Sequence, residues 1–133
     1  MDNPLVVLLV EDEVLVRMVA ADVLSEAGFT VLESASAEEA LRLLETRPDV
    51  QVLFTDVNMP GALDGLGLAQ AVHNRSPGIG ILIGSGRIRP GPSELPPSAR
   101  FIAKPYAPSA LTDAVRAVAQ GHQGRGEHAM HAL

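Results

Sequence analysis

The sequence predicts an α/β domain built as a doubly wound parallel sheet of five strands with helices on both faces, and three observations carry that prediction. Apolar runs such as Leu5 to Val10, Val52 to Thr55 and Ile79 to Ile83 lack the alternation of a half-solvated strand, as expected of strands buried on both faces. Stretches of helical periodicity separate these runs, and a strand that returns to a parallel neighbour does so through a right-handed crossover. Apolar residues make up 47% of the chain but aromatics only 3%, so the core must be assembled from Val, Leu, Ile and Ala, which suits parallel strands under helices.

Each element then follows in order. Leu5 to Val10 is a central strand ending in Glu11-Asp12-Glu13. The first helix is expected from Glu13 to Ala27, with acids in its first turn and Gly28 as its left-handed exit; Val16, Val19, Val23 and Leu24 form its inward stripe, leaving Val14, Leu15 and Met18 partly outside. Thr30 to Glu33 is a short second strand. Ser36-Ala37-Glu38-Glu39 reads as a capping box opening a helix whose Ala40, Leu41 and Leu44 face inward and which stops before Pro48. Val52-Leu53-Phe54-Thr55 is the third strand and delivers Asp56 to its carboxyl end, before Val57-Asn58-Met59-Pro60-Gly61. Asp64 caps a third helix, Gly65 to Asn74, whose first turn is weakened by Gly65 and Gly67. Pro77-Gly78 is a turn, and the fourth strand ends in Gly84-Ser85-Gly86. Between Arg87 and Ala99 the prolines at 90, 92, 96 and 97 exclude a full helix and leave room for one turn around Ser93-Glu94-Leu95. Arg100 to Ala103 is the fifth strand, running into Lys104-Pro105, and Ala110, Leu111, Ala114, Val115 and Val118 mark a last amphipathic helix from Ser109 to Gln120. Residues 1–120 thus form one domain and 121–133 a flexible tail without periodicity.

Charge and composition exclude several classes. A formal charge of −6 repels phosphate backbones and anionic lipid, so no nucleic acid and no membrane surface is expected as partner. The absence of cysteine removes disulfides and thiolate metal sites. The start is acidic and its apolar run too short to span a bilayer, which points to a cytoplasmic protein.

Chemistry collects at the carboxyl ends of the strands, the edge where open α/β sheets place their ligands. There stand Glu11 and Asp12, Asp56, Ser85 and Lys104, after strands one, three, four and five. Alone, Asp56 reads equally well as a turn cap and as a reactive group. Three carboxylates in one cleft repel each other unless a cation sits among them, and magnesium suits oxygen ligands that leave room for water and a phosphate oxygen. Lys104 is the only lysine in the chain, the other bases being arginines, which supports a task specific to a compact ammonium.

Glu11-Asp12, Asp56 with Met59-Pro60-Gly61 behind it, Ser85 and Lys104-Pro105, in this order and spacing from about Leu5 to Gln120, resemble the receiver domain of bacterial two-component response regulators. The resemblance implies a flavodoxin-like sheet of order 2-1-3-4-5. It implies that Asp56 is a phosphoacceptor taking a phosphoryl group from a histidine kinase or histidine phosphotransfer protein. Asp12 would bind Mg2+ directly, Glu11 through water and Asn58 through its backbone carbonyl, with Lys104 neutralising phosphoryl oxygens. Ser85 occupies the switch hydroxyl position and Phe101 that of the switch aromatic, although a plain core Phe is the other reading of Phe101. The Lys104-Pro105 peptide is expected cis by resemblance, since sequence alone favours trans. Val14, Leu15 and Met18 would dock the donor's helical bundle.

The chain departs from the family in its proline-rich 87–99 segment, which replaces most of the fourth helix and puts a dimer through that face in doubt, so a monomer is expected. The expected role is a stand-alone phosphorylation switch or phosphorelay shuttle, catalysing only its own phosphorylation and dephosphorylation, with a domain excised from a hybrid kinase or larger regulator as the alternative. A Mg-dependent phosphohydrolase with an aspartate nucleophile is disfavoured, because position 58 holds Asn where such enzymes need an acid. A flavin or dinucleotide domain is disfavoured because Glu11-Asp12-Glu13 would repel a phosphate at the first loop. His122, His128 and His131 read as part of the tail rather than a metal site.

Overall fold

The computed structural model describes residues 4–59, 61–86 and 95–119. In chain order the elements are β1 (Val6–Val10), α1 (Val14–Glu26), β2 (Thr30–Ser34), α2 (Ala37–Thr46), β3 (Val52–Asp56), α3 (Gly65–Arg75), β4 (Gly80–Ser85) and β5 (Arg100–Ala103). A last helix, α4, covers residues 108–119. The strands form one parallel sheet of order β2-β1-β3-β4-β5, as the resemblance implies.

Strand alternation splits the core in two. Leu8 and Val10 of β1, Leu53 of β3, and Ile81 and Ile83 of β4 face α2 and α3, where they meet Ala37, Ala40, Leu68, Ala69 and Val72. Val7, Leu9, Val52, Phe54 and Leu82 face the other way and meet Ala20, Leu24, Leu111, Val115 and Val118 of α1 and α4. Such double burial explains the uninterrupted apolar runs, and each fully buried Leu or Val contributes about 1.5–3 kcal/mol.

Local signals act largely as the sequence suggests. Ser36 Oγ accepts from the Glu39 N–H at 3.1 Å, while Glu39 Oε1 accepts from the Ala35 N–H at 2.9 Å, one residue upstream of the position a strict capping box would use. Asp64 Oδ1 accepts from the Gly67 N–H at 2.8 Å. Gly28 has φ 97°, the left-handed exit. Gly65 is more than a weak helix start: a Cβ there would lie 1.7 Å from the Asp56 carbonyl oxygen, so only glycine lets α3 begin against the end of β3.

Four expectations need correction. Helix α1 has no acid in its first turn; Glu13 occupies the N-cap position without a side-chain cap bond. Val19, expected inward, is 64% exposed, because the inward stripe of α1 runs from the partly buried Val16 through Ala20, Ala21 and Leu24 and leaves Val19 on its outer side. Ala110 is likewise exposed at the start of α4, where only Leu111 of the first full turn is buried. Strand β4 begins at Gly80, not Ile79, and runs on to Ser85.

Most of the proline-rich segment, and the tail from Gln120 onward, lie outside the described residues. At its far end residues 95–99 form a turn whose Leu95 and Ala99 pack on the α2/α3 side of the core. No helix among the described residues is long and apolar enough to cross a membrane.

Candidate functional site

Register brings the chemistry together. Val10 pairs with Thr55, Asp56 with Gly84, and Ser85 with Ala103, so β1, β3, β4 and β5 end side by side and release Glu11, Asp56, Gly86 and Lys104 at one edge. Glu11, Asp12 and Asp56 each offer a carboxylate oxygen within 4.8 Å of the others. The Lys104 Nζ donates to Glu11 Oε1 at 2.9 Å and lies 3.0 Å from Asp56 Oδ1. Beside them opens a cleft of about 370 Å³ lined by Asp12, Glu13, Asp56, Asn58, Gly86 and Lys104.

Glu11 is the buried member, only 4% exposed, and both its oxygens are engaged: Oε2 accepts from the Glu13 N–H at 3.1 Å while Oε1 holds Lys104. Burial raises the Glu11 pKa above the ordinary carboxylate value, and the hydrogen bond from Lys104 offsets this only in part. For Lys104 burial works against the ammonium, but hydrogen bonds to Glu11 and Asp56 outweigh it and raise its pKa. The two partners differ because Lys104 faces two carboxylates whereas Glu11 faces one ammonium and repulsion from Asp56. The stability that Lys104 gains from its partners is therefore fully present below its ordinary pKa and is lost only as pH rises through the higher folded value.

The donor set fits a hard divalent cation. Three carboxylates against one ammonium leave two negative charges, all on oxygen, with an exposed Asn58 at the rim of the cleft. Among the described residues this is the one cluster of three acids or histidines so placed.

The remaining predicted residues take these positions. Ser85 is buried at 3% exposure at the end of β4, where its carbonyl accepts from the Lys104 N–H at 2.9 Å. Phe101 lies half-buried on β5, opposite Ile83 of β4. The Lys104-Pro105 peptide is cis. Val14, Leu15 and Met18 are 56%, 76% and 52% exposed, and a groove of about 590 Å³ runs between Leu15, Val16 and Val19 on one side and Lys104, Pro105 and Tyr106 on the other.

Two residues escaped sequence reasoning. Tyr106 packs edge-on against Phe54, ring centroids 6.1 Å apart, its pKa is raised by burial, and it lines the α1 groove beside Lys104. Its signal was available as the aromatic two residues past Lys104. Arg17 donates from Nη1 to the Glu11 carbonyl at 2.7 Å and from Nε to Glu33 Oε1 at 3.3 Å. A main-chain acceptor leaves no mark in a side-chain pattern.

Known proteins match this architecture. The model of the response regulator receiver domain family matches residues 7–116. The chain is 36% identical over 114 residues to the sensor kinase CckA of Brucella abortus, a match spanning 83% of this chain but only 12% of the kinase. The crystal structure of the receiver domain of the hybrid histidine kinase CckA superposes with a TM-score of 0.74 at 32% identity, covering 86% of this chain and 98% of that one. A receiver protein from Sinorhizobium medicae superposes with a TM-score of 0.84 over 90% of this chain and 97% of its own, at 23% identity, and shares the fold. The chain belongs to the response regulator receiver domain family, the signalling domain of two-component systems.

Proposed function

We propose that Asp56 is the phosphoacceptor of this receiver domain and that Mg2+ is its cofactor, held by Asp12, Asp56 and the Asn58 carbonyl, with Glu11 acting at one remove. The observation that carries this reading is the single lysine of the chain bridging Glu11 at 2.9 Å and Asp56 at 3.0 Å beside an acidic cleft. An Asp56 oxygen attacks the phosphorus of a phosphohistidine, the P–N bond breaks, and its electron pair returns to the imidazole of the donor. Bound magnesium supplies positive charge to the phosphoryl oxygens. Lys104, already 3.0 Å from Asp56 Oδ1, would meet the same oxygens, and its raised pKa keeps it charged throughout the neutral range. The Ser85 hydroxyl, one residue from the lining Gly86, accompanies the phosphoryl group as the switch, with Phe101 following it.

The donor is a histidine kinase or histidine phosphotransfer protein, docking on Val14, Leu15 and Met18; their exposure at the start of α1, directly after the Asp12 and Glu13 that line the cleft, supports this assignment. The same chemistry serves a stand-alone cytoplasmic switch or shuttle and a domain within a longer regulator. Steady hydrolysis of small phosphate esters is not expected, because Asn58 has no proton to give a leaving group. Intact-mass analysis after incubation with Mg2+ and acetyl phosphate tests the reading. A single phosphoryl adduct, dependent on Mg2+ and lost in Asp56→Asn, is the expected result; an adduct that survives in Asp56→Asn, or none in the folded native chain, removes Asp56 as acceptor.

A further inference from the structure

At the end of β1 the sheet still holds Glu11 through its N–H but no longer through the carbonyl that joins it to Asp12. Along β1 and β2 the ladder runs from the Thr30 N–H onto the Leu5 carbonyl at 2.8 Å to the Glu11 N–H onto the Ser34 carbonyl at 3.0 Å. The evenly spaced bonds of a parallel pair make the Ser36 N–H the next donor, with the Glu11 carbonyl as its acceptor. That rung is missing. As the chain turns into the cap of α2, the Ser36 N–H donates instead to Ser34 Oγ at 3.3 Å. The Glu11 carbonyl accepts from Arg17 Nη1 at 2.7 Å in its place.

The guanidinium is well placed for this substitution. Its side chain is only 18% exposed, and its own N–H makes the first bond of α1, to the Glu13 carbonyl at 2.9 Å. Its Nε meets the more exposed Glu33 at 3.3 Å, which orients the planar fork without burying a second charge. The carbonyl it grips belongs to the peptide joining Glu11 to Asp12, so Arg17 sets the plane from which the Asp12 side chain departs toward the cleft.

We propose that Arg17 is a positioning residue for the metal site, acting through the Glu11-Asp12 peptide as a surrogate for the lost ladder rung. The inference rests on the reading that this cleft binds Mg2+. Outer contacts that fix a ligand's orientation are worth about 10–100-fold in metal affinity. Electrostatics alone predicts the opposite sign, since removing a cation close to a cation site tightens metal binding.

Calorimetric titration of the intact chain with Mg2+ separates the two. Arg17→Met is expected to weaken Mg2+ binding about tenfold or more, while Glu33→Gln, which removes only the ion pair, stays within about twofold of the native chain on the same scale. Arg17→Gln keeps a polar stem without the reach of the fork, carries the same expectation as Arg17→Met, and decides the matter should Arg17→Met fail to fold. Native or tighter Mg2+ binding in the folded variant overturns the proposal, and so does an equal loss in Glu33→Gln. A native chain that neither binds Mg2+ nor forms the Asp56 adduct overturns the metal reading and this inference with it. A native chain that does both, beside variants that match it, overturns the role of Arg17 alone.

Discussion

Helices α1 and α2 both leave the carboxyl edge of the sheet, yet they are built on different terms. Helix α2 opens on a reciprocal cap, with Ser36 bonded to the Glu39 N–H and Glu39 to the Ala35 N–H, and buries Ala37 and Ala40 from its first turn onward. Helix α1 has no side-chain cap, and four large apolar residues of its first two turns, Val14, Leu15, Met18 and Val19, are exposed. Its first fully buried residue is Ala20. What α2 uses to hold itself together, α1 withholds at the end nearest the acidic cleft, and its fixed point there is Arg17 on the Glu11 carbonyl. Exposed apolar side chains beside a charged pocket support the docking role proposed for Val14, Leu15 and Met18.

That contrast makes testable claims. The largest effect lies within α1 itself: Leu24→Ala, at a fully buried position, is expected to cost about 2–5 kcal/mol in urea unfolding, whereas Leu15→Ala stays within about 0.5 kcal/mol. A comparable cost at Leu15 would mean that the outer face belongs to the fold and is not held free. Next come the caps. Ser36→Ala should destabilise by about 1 kcal/mol, while Glu13→Ala at the other N-cap, whose side chain makes no cap bond, should leave the unfolding midpoint nearly unchanged. Equal losses at both positions would erase the distinction between the helices. The smallest effect is one of pH. The hydrogen bond from the Ala35 N–H, joined by one from Ser34, holds the Glu39 pKa below the ordinary carboxylate value. Its contribution is therefore present above that ordinary value and is lost as pH falls through the lower folded one. Amide exchange at Ala35 should lose protection on acidification in the native chain and show a flatter profile in Glu39→Gln; identical profiles would detach the cap from this titration.

The same contrast explains what could be read from residues alone. The sheet was legible because burial on both faces writes continuous apolar runs, and Asp64 and Ser36 were legible because caps are local. Val19 was misjudged for a different reason: valines and alanines give α1 apolar residues on more than one face, and periodicity does not say that the stripe through Val16, Ala20 and Leu24 is the one that turns inward. The acids and Lys104 could be placed at one edge since each follows an apolar run directly. Arg17 could not, because its partner is a backbone carbonyl freed by a turn elsewhere. Gly65 looked like a weakness of α3, since its contact with the Asp56 carbonyl exists only once two elements have met.

One property of Lys104 reaches beyond the site. Because it is the only lysine, the chain carries a single side-chain amine, and that amine sits between Glu11 and Asp56. Acylating reagents attack the neutral amine, and the raised pKa leaves little of it at neutral pH. Beyond the α-amino group, the extent of stable amide formation thus becomes a one-site footprint of how often Lys104 lets go of its carboxylates.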